Sequence, residues 1–421
     1  MLDRRGECIE TDYVVQDGFR MNNSRGTYRP KLTYVVTVSA SVSFLYGQVA
    51  HMVGSGWDVD IVSSPGPELN VARAEGARSW AVPMEREITP LKDIVSLWRL
   101  WRLFRSTRPD LIVAGTPKAG LLGTLAARLA GVPHVLYTLH GLRLETALGL
   151  KRLLLTIAEL VACRCAHRVH CVSPSLRARV IGLGLARPDK TVVVGPGTCR
   201  GVNTDRFRPS PDAQQEASDL GRKLGIHEDA LVIGFVGRFT RDKGVAELYR
   251  AFISLRQQYS DLRLLLVGDL EVGDPIAADI QRAIESNGDV IRTGFVTDVA
   301  PYYRIMDICA LPTYREGFPG VPLEAQAAGI PVITTQATGA IDSVLDGQTG
   351  FIVPVGDVSA LRDAINRLLV DPSLQERMGL AGRAWVEAVF RQEIVWAAYA
   401  QAYEQQLSCG SCFQCDAVGG E

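Results

Sequence analysis

The chain has no apolar run of 18 residues free of charge, so no segment is expected to span a bilayer. Its first 30 residues are polar and lack the apolar stretch of a secretory signal. A reducing, cytoplasmic setting is therefore expected, with Cys163, Cys165, Cys171 and Cys309 as small reduced core side chains. The C-terminal Cys409-x2-Cys412-x2-Cys415 lacks a fourth ligand and a neighbouring His, and reads as a loose tail rather than a metal site. A dinucleotide fingerprint is missing too. Gly195, Gly197 and Gly201 come close, but the third glycine is one place late and no helix is expected after it, which argues against NAD(P). Asp58-x-Asp60 alternates with apolar residues at the start of a strand, so it reads as a strand edge and not as a metal pair.

What the chain does have is length and an uneven charge. At 421 residues it is long for one core, and two domains are expected. The net charge is only −1, yet residues 86–179 carry 15 Lys and Arg against 5 Asp and Glu. Such a basic segment suits an anionic partner: phosphate, acidic headgroups or nucleic acid.

Short apolar runs alternate with helical stretches throughout, the pattern of parallel α/β sheets. Strands are expected at 32–38, 57–62, 82–84, 110–114, 133–139, 167–172 and 191–194. A second series follows at 231–236, 262–267, 291–296, 308–312, 331–334 and 350–354. Residues 1–30 read as a disordered leader, 31–207 as one Rossmann-like domain and 208–388 as a second, opened by a polar linker at 208–230. A helix over 389–407 and a tail over 408–421 complete the chain. The helix over 90–106 carries Ile94, Val95, Trp98 and Trp101 as one stripe beside Arg99, Arg102 and Arg105. That stripe reads first as core packing, with a membrane surface as the other reading.

The chemistry concentrates in Tyr314-Arg-Glu316-Gly317-Phe318-Pro-Gly320-Val-Pro-Leu-Glu324, between an expected strand and a helix. Its glycines let backbone approach a ligand, and the helix start offers free N–H groups to anionic oxygen. Glu316 and Glu324 flank that point and can grip hydroxyls on either side of a phosphate. Upstream, Arg238 and Lys243 lie five apart around a turn and can converge on one diphosphate. Two other loops between a strand and a helix point the same way: Ser39 to Gln48, with Gly47, and Gly115-Thr-Pro-Lys118-Ala-Gly.

Glu316 to Glu324 resembles the E-x7-E motif of retaining glycosyltransferases of family 4, which have the GT-B fold of two Rossmann-like αβα domains facing across a cleft. Gly234 to Gly244, Ala325 to Ile333 and the Thr-Leu-His140-Gly turn fit the same pattern, and the similarity runs from about Lys31 to about Leu407. The resemblance implies transfer of a sugar from a nucleoside-diphosphate sugar, a UDP-sugar, with retention and with neither cofactor nor metal. It assigns Arg238 and Lys243 to the diphosphate with the amides of Gly317 and Phe318, Glu324 to the ribose, Val296 to the nucleobase and Gly47 to the nucleotide. Glu316 and His140 would meet the sugar. Asn203 departs from the aspartate usual there. Lys118 lies in a loop resembling that of bacterial surface-polysaccharide glycosyltransferases and, with Arg143, would meet the acceptor. A polyprenyl-phosphate-linked saccharide at the inner face of a membrane is then the expected acceptor, with an anionic membrane surface and no nucleic acid as partner. A sugar-nucleotide epimerase of similar fold, or transfer to a soluble acceptor, is the alternative.

Overall fold

The structure, a computed structural model, describes residues 28–409 except Ile88 and Val272, with only the backbone described at Cys409. The leader expected before Tyr28, and Cys412 and Cys415, lie outside the described residues. Strands β1 (Lys31–Val35), β2 (Asp58–Ser63), β3 (Arg78–Ala81), β4 (Leu111–Gly115), β5 (His134–Leu139), β6 (Arg168–Cys171) and β7 (Thr191–Val192) form a parallel sheet in the order β3-β2-β1-β4-β5-β6-β7. Strands β8 (Leu231–Val236), β9 (Leu262–Val267), β10 (Val290–Arg292), β11 (Ile308–Leu311), β12 (Val332–Thr335) and β13 (Gly350–Val353) form the second, in the order β10-β9-β8-β11-β12-β13. Both are doubly wound. The central strands are apolar and buried on both faces, as helix-covered parallel strands must be. Each sheet has one point where the winding reverses, between β1 and β4 and between β8 and β11, and ligands bind at such points outside the carboxyl ends.

The last helix, Gln392–Cys409, leaves the second sheet and completes the first core. Its Val395, Tyr399 and Tyr403 join Leu32, Tyr34, Trp57 and Leu136 in one buried cluster. The Tyr403 ring stacks on His170 at 6.1 Å, and Tyr399 Oη donates to Thr198 O at 3.0 Å. The two chain passes between the sheets run side by side. Val202 N donates to Phe390 O at 2.8 Å, and Gln392 N to Val202 O at 3.1 Å. Gly201 makes this possible, because a Cβ there would lie 2.6 Å from the Cα of Gln392.

Several expectations need correction. The third strand is Arg78–Ala81, since its ladder runs Asp60 to Arg78 through Ser63 to Ala81; Val82 and Met84 are buried just past it. The expected linker holds a helix, Pro211–Lys223, which Ser210 caps by accepting from Ala213 N at 3.2 Å. Ile94, Val95 and Trp98 are not core residues. The helix Pro90–Thr107 buries Ser96, Leu100 and Phe104 instead and leaves those three exposed. Cys165 is only half-buried, whereas Cys163, Cys171 and Cys309 are buried as expected. Asp58 and Asp60 both accept from Arg78, at 2.7 and 2.8 Å. One buried acid stands out: Glu159 accepts from Tyr137 Oη at 2.8 Å, and burial raises its pKa to about 7. Among the described residues, no helix is long and apolar enough to cross a membrane.

Candidate active site

The loops after β8 and β11 meet at the reversal point of the second sheet. Asp242 fastens them: its carbonyl accepts from Tyr314 N at 2.8 Å and Thr313 Oγ1 at 2.9 Å, and its carboxylate pairs with Arg315 at 2.6 Å. This brings Lys243 Nζ to 2.5 Å from Glu316 Oε1, with both side chains mostly buried. Arg315 also reaches Thr146 Oγ1 in the first domain, at 2.8 Å.

Arg238, from the same β8 loop, pairs with Glu271 Oε2 at 2.5 Å, while Arg86 of the first domain approaches Glu271 Oε1 at 3.3 Å. The Arg238 hydrogen bond, then its charge, holds the Glu271 carboxyl below its usual range. Glu324, in the helix Gly320–Ala327, accepts from Tyr303 Oη at 3.0 Å and Arg200 at 2.9 Å. Burial first, then the Glu324 charge, pushes the Tyr303 phenol well above its usual pKa, so it stays a donor.

The first domain enters at the end of β5. A Cβ on Gly317 would lie 2.1 Å from His140 O, and one on Gly339 would lie 2.3 Å from Gly317 O. Three backbone passes therefore stack at the junction, and only glycine permits the approach. His140 stands beside this contact with its ring 5.7 Å from that of Phe44. Burial lowers its pKa to about 4, so its imidazole is neutral near pH 7. His140 and Thr138 line a cavity of about 30 Å³, room for one water. Phe318 leaves the loop to pack on Phe390, ring centroids 5.4 Å apart.

Thus His140, Lys243, Glu316 and Gly317 come together, with Phe318 next to them in the loop and Glu324 one helical turn into the following helix. Arg238 shares their sheet edge. Val296 lies partly buried in the loop after β10, beside an exposed Phe295. Two expectations do not survive as stated. Gly47 N–H is already taken by Glu75, at 2.9 and 3.1 Å, and a Cβ there would lie 2.4 Å from the Trp396 ring. It is glycine because its φ is +75° and an indole covers it. Lys118 is not free either: it is mostly buried and donates to Asp93 Oδ1 at 2.7 Å, Thr89 Oγ1 at 3.3 Å and the Glu87 carbonyl. With all three protons placed, it ties two helix starts together. Arg143 faces Glu87 at 3.8 Å, on the same rim. Arg200, Tyr303 and Glu271 were not foreseen. Arg200 sits just before Gly201-Val202-Asn203 and could have been suspected from that place; nothing in the sequence marks the other two.

Two doubly wound domains joined across charged loops at a glycine-only contact make the GT-B fold. Residues 230–371 match the family model described as Glycosyl transferases group 1, and residues 41–197 that described as Glycosyl transferase 4-like domain. The chain belongs to this glycosyltransferase family. It is 38% identical over 377 residues to the capsular polysaccharide biosynthesis glycosyltransferase CapM of Staphylococcus aureus, covering 90% of this chain and 97% of CapM. It is 27% identical to the UDP-Gal:alpha-D-GlcNAc-diphosphoundecaprenol alpha-1,3-galactosyltransferase of Escherichia coli, covering 76% of this chain and 81% of that enzyme. Among solved structures, HepE of Anabaena with UDP and glucose superposes with a TM-score of 0.75 at 21% identity, covering 89% of this chain and 100% of that one. Sucrose-phosphate synthase of Thermosynechococcus elongatus gives 0.73 at 23%, covering 90% and 100%.

Proposed function

We propose that the protein transfers a sugar from a UDP-sugar to a hydroxyl of a polyprenyl-linked saccharide, with retention, in the assembly of a capsular or other surface polysaccharide. The observation that carries the reading is the Lys243–Glu316 pair set against Gly317 and the His140–Gly141 turn, where the two domains touch. The C1–O bond to the diphosphate breaks, and the acceptor oxygen bonds to C1 from the same face. The departing phosphate takes the acceptor proton. Lys243, Arg238 and the amides of Gly317 and Phe318 oppose the charge that grows on the diphosphate, which is the largest lever such a site has. Arg238 must first exchange Glu271 for phosphate, and Glu324 must exchange Arg200 for the ribose hydroxyls. Neutral His140 offers a hydrogen bond to the sugar, and Glu316 orients it. Val296 lies beside the nucleobase.

The name of the galactosyltransferase supports the acceptor class, that of CapM the polysaccharide assembly, and the UDP bound in HepE supports the nucleotide. The basic first domain favours a membrane-borne acceptor over a soluble one, at the inner membrane face; Arg143 lies on that rim. We place the domain division at 31–207 and 208–388, with 389–407 returning to the first. The test is incubation with UDP-, GDP- and ADP-sugars and a polyprenyl-diphosphate-linked sugar, read by mass spectrometry, with the product anomer assigned by NMR. Transfer from a UDP-sugar with inverted configuration would remove the mechanism. An epimerised donor without transfer would remove the activity.

A further inference from the structure

Two helices on one face of the first sheet share an unusual pattern. In Pro90–Thr107 the exposed apolar residues are Leu91, Ile94, Val95 and Trp98, at positions i, i+3, i+4 and i+7. In Gly149–Cys165 they are Leu150, Leu153, Leu154 and Ile157, at the same spacing. That spacing makes one stripe, which in a globular helix normally faces the core. Here the core is met by the opposite stripe in both: Ser96, Leu100 and Phe104 in one, Leu155, Glu159 and Cys163 in the other, at i+5, i+9 and i+13. Each helix therefore meets the core with one face and carries a second, apolar face outward. With Leu148, which is 83% exposed, these account for nine of the 22 exposed large apolar side chains among the described residues. A patch that concentrated marks an interaction surface rather than ordinary scatter.

The topology places the stripes together. Both helices flank Pro117–Ala130, and in a parallel α/β layer all three begin at the carboxyl edge of the sheet, the edge that faces the cleft. Both stripes occupy the first half of their helices, so they stand on either side of the Lys118 rim at the cleft mouth. Cations border them: Arg99 and Arg102 on the first, where Lys92 is paired with Glu85 at 2.8 Å, and Lys151 and Arg152 on the second, with the Arg102 guanidinium over the Trp98 ring at 5.6 Å. A groove of about 590 Å³ lined by Met84, Leu91, Val95 and Arg99 runs beside the first.

We propose that these twin stripes are a two-point membrane dock, in which both apolar ridges enter the headgroup region of an anionic bilayer and the cleft mouth opens between them. Apolar ridges edged by cations match a surface that is apolar inside and negative outside, whereas a second copy of this chain would bring like charges together. The proposal rests on the reading of a lipid-linked acceptor, since a dock of this kind delivers the active site to a substrate held in the membrane.

The test compares the wild-type full chain with two triple variants, Leu91→Ser/Ile94→Ser/Trp98→Ser and Leu150→Ser/Leu153→Ser/Leu154→Ser, and with Leu129→Ser. Leu129 is an exposed leucine at the far end of the intervening helix. Binding to vesicles of phosphatidylglycerol and phosphatidylcholine in equal parts is measured by co-sedimentation at low and high salt. Each triple variant is expected to lose roughly tenfold or more in vesicle affinity, with melting temperature and UDP binding unchanged and Leu129→Ser behaving as wild type. Wild-type binding should weaken with salt. If the Leu150 variant binds as wild type does, or if the wild type ignores the vesicles, the dock is wrong. A dimer in solution that either variant splits also overturns it. If the wild type docks as described but transfers sugar only to water-soluble acceptors, the dock stands and the lipid-linked acceptor falls.

Discussion

The two sheets have the same winding and the same reversal point, yet the two points are filled differently. Between β1 and β4 the crevice holds two threonines. Thr37 and Thr116 hydroxyls lie 2.8 Å apart, Thr116 Oγ1 accepts from Thr37 N at 3.1 Å, and Thr37 Oγ1 accepts from Ala119 N at 3.0 Å. The start of the Pro117–Ala130 helix is thus satisfied by the protein itself, and Thr116 holds a left-handed φ of +67° to do it. Between β8 and β11 the same place carries a charged pair, Lys243 and Glu316, instead of two hydroxyls. Topology supplies two equivalent crevices; side chains make one a structural joint and the other the candidate site.

The comparison can be tested from its strongest end. Lys243→Ala should lower kcat by about 100-fold, or ~3 kcal/mol, because its charge contact matters most as the diphosphate departs. Steady-state kinetics with saturating donor and an unchanged melting temperature would establish it; wild-type turnover would end the assignment. Glu324→Ala should act mainly on donor binding and raise KM for the sugar nucleotide roughly tenfold, with a smaller change in kcat. Thr37→Val is the mirror experiment in the other crevice. It should cost about 1 kcal/mol of stability through the lost helix-start bond and leave kcat within about twofold. A large kinetic effect there would mean that the first crevice is also a site.

A smaller effect concerns titration. The Glu159 carboxyl has a folded pKa of about 7 against an ordinary 4.5, so the folded state holds its proton longer than the unfolded one. Its contribution is fully present below about 4.5 and is lost as pH rises through about 7. Glu159→Gln should therefore melt higher relative to wild type at pH 8 than at pH 5, by scanning calorimetry. Equal differences at both values would refute the assignment. Smallest of all should be the response to chelation: EDTA should leave turnover unchanged if the two cations and the loop amides meet the diphosphate as proposed. Loss of activity that manganese or magnesium restores would contradict it.

Much of this was legible in the sequence. Fully buried parallel strands are nearly continuous apolar runs, so the expected bounds of β8 and β9 match the structure; the loop that carries Glu316 is also legible, because its glycines and charges are local signals, although its helix begins at Gly320, ahead of the expected start. The failures have a common cause. Gly47 and Lys118 have the residue types of a ligand loop, but their hydrogen-bonding groups were claimed by Glu75 and Asp93, 28 and 25 residues away. The stripe at Ile94 has the period of a core face, and period alone does not say which side of a helix is covered. Arg200 and Tyr303 reach Glu324 from 124 and 21 residues away, distances at which no spacing rule operates.

The helix that returns from the second sheet also bears on the order in which the protein is made. Val395, Tyr399 and Tyr403 complete the cluster around Tyr34 and Trp57. A ribosome releases β1 early, but the cover for its sheet emerges only after the whole second domain. The first domain to be synthesised is the last whose core can close, and until then its apolar face depends on chaperones or on haste. Removing the final helix would therefore strand the opposite end of the molecule, not the end that was cut.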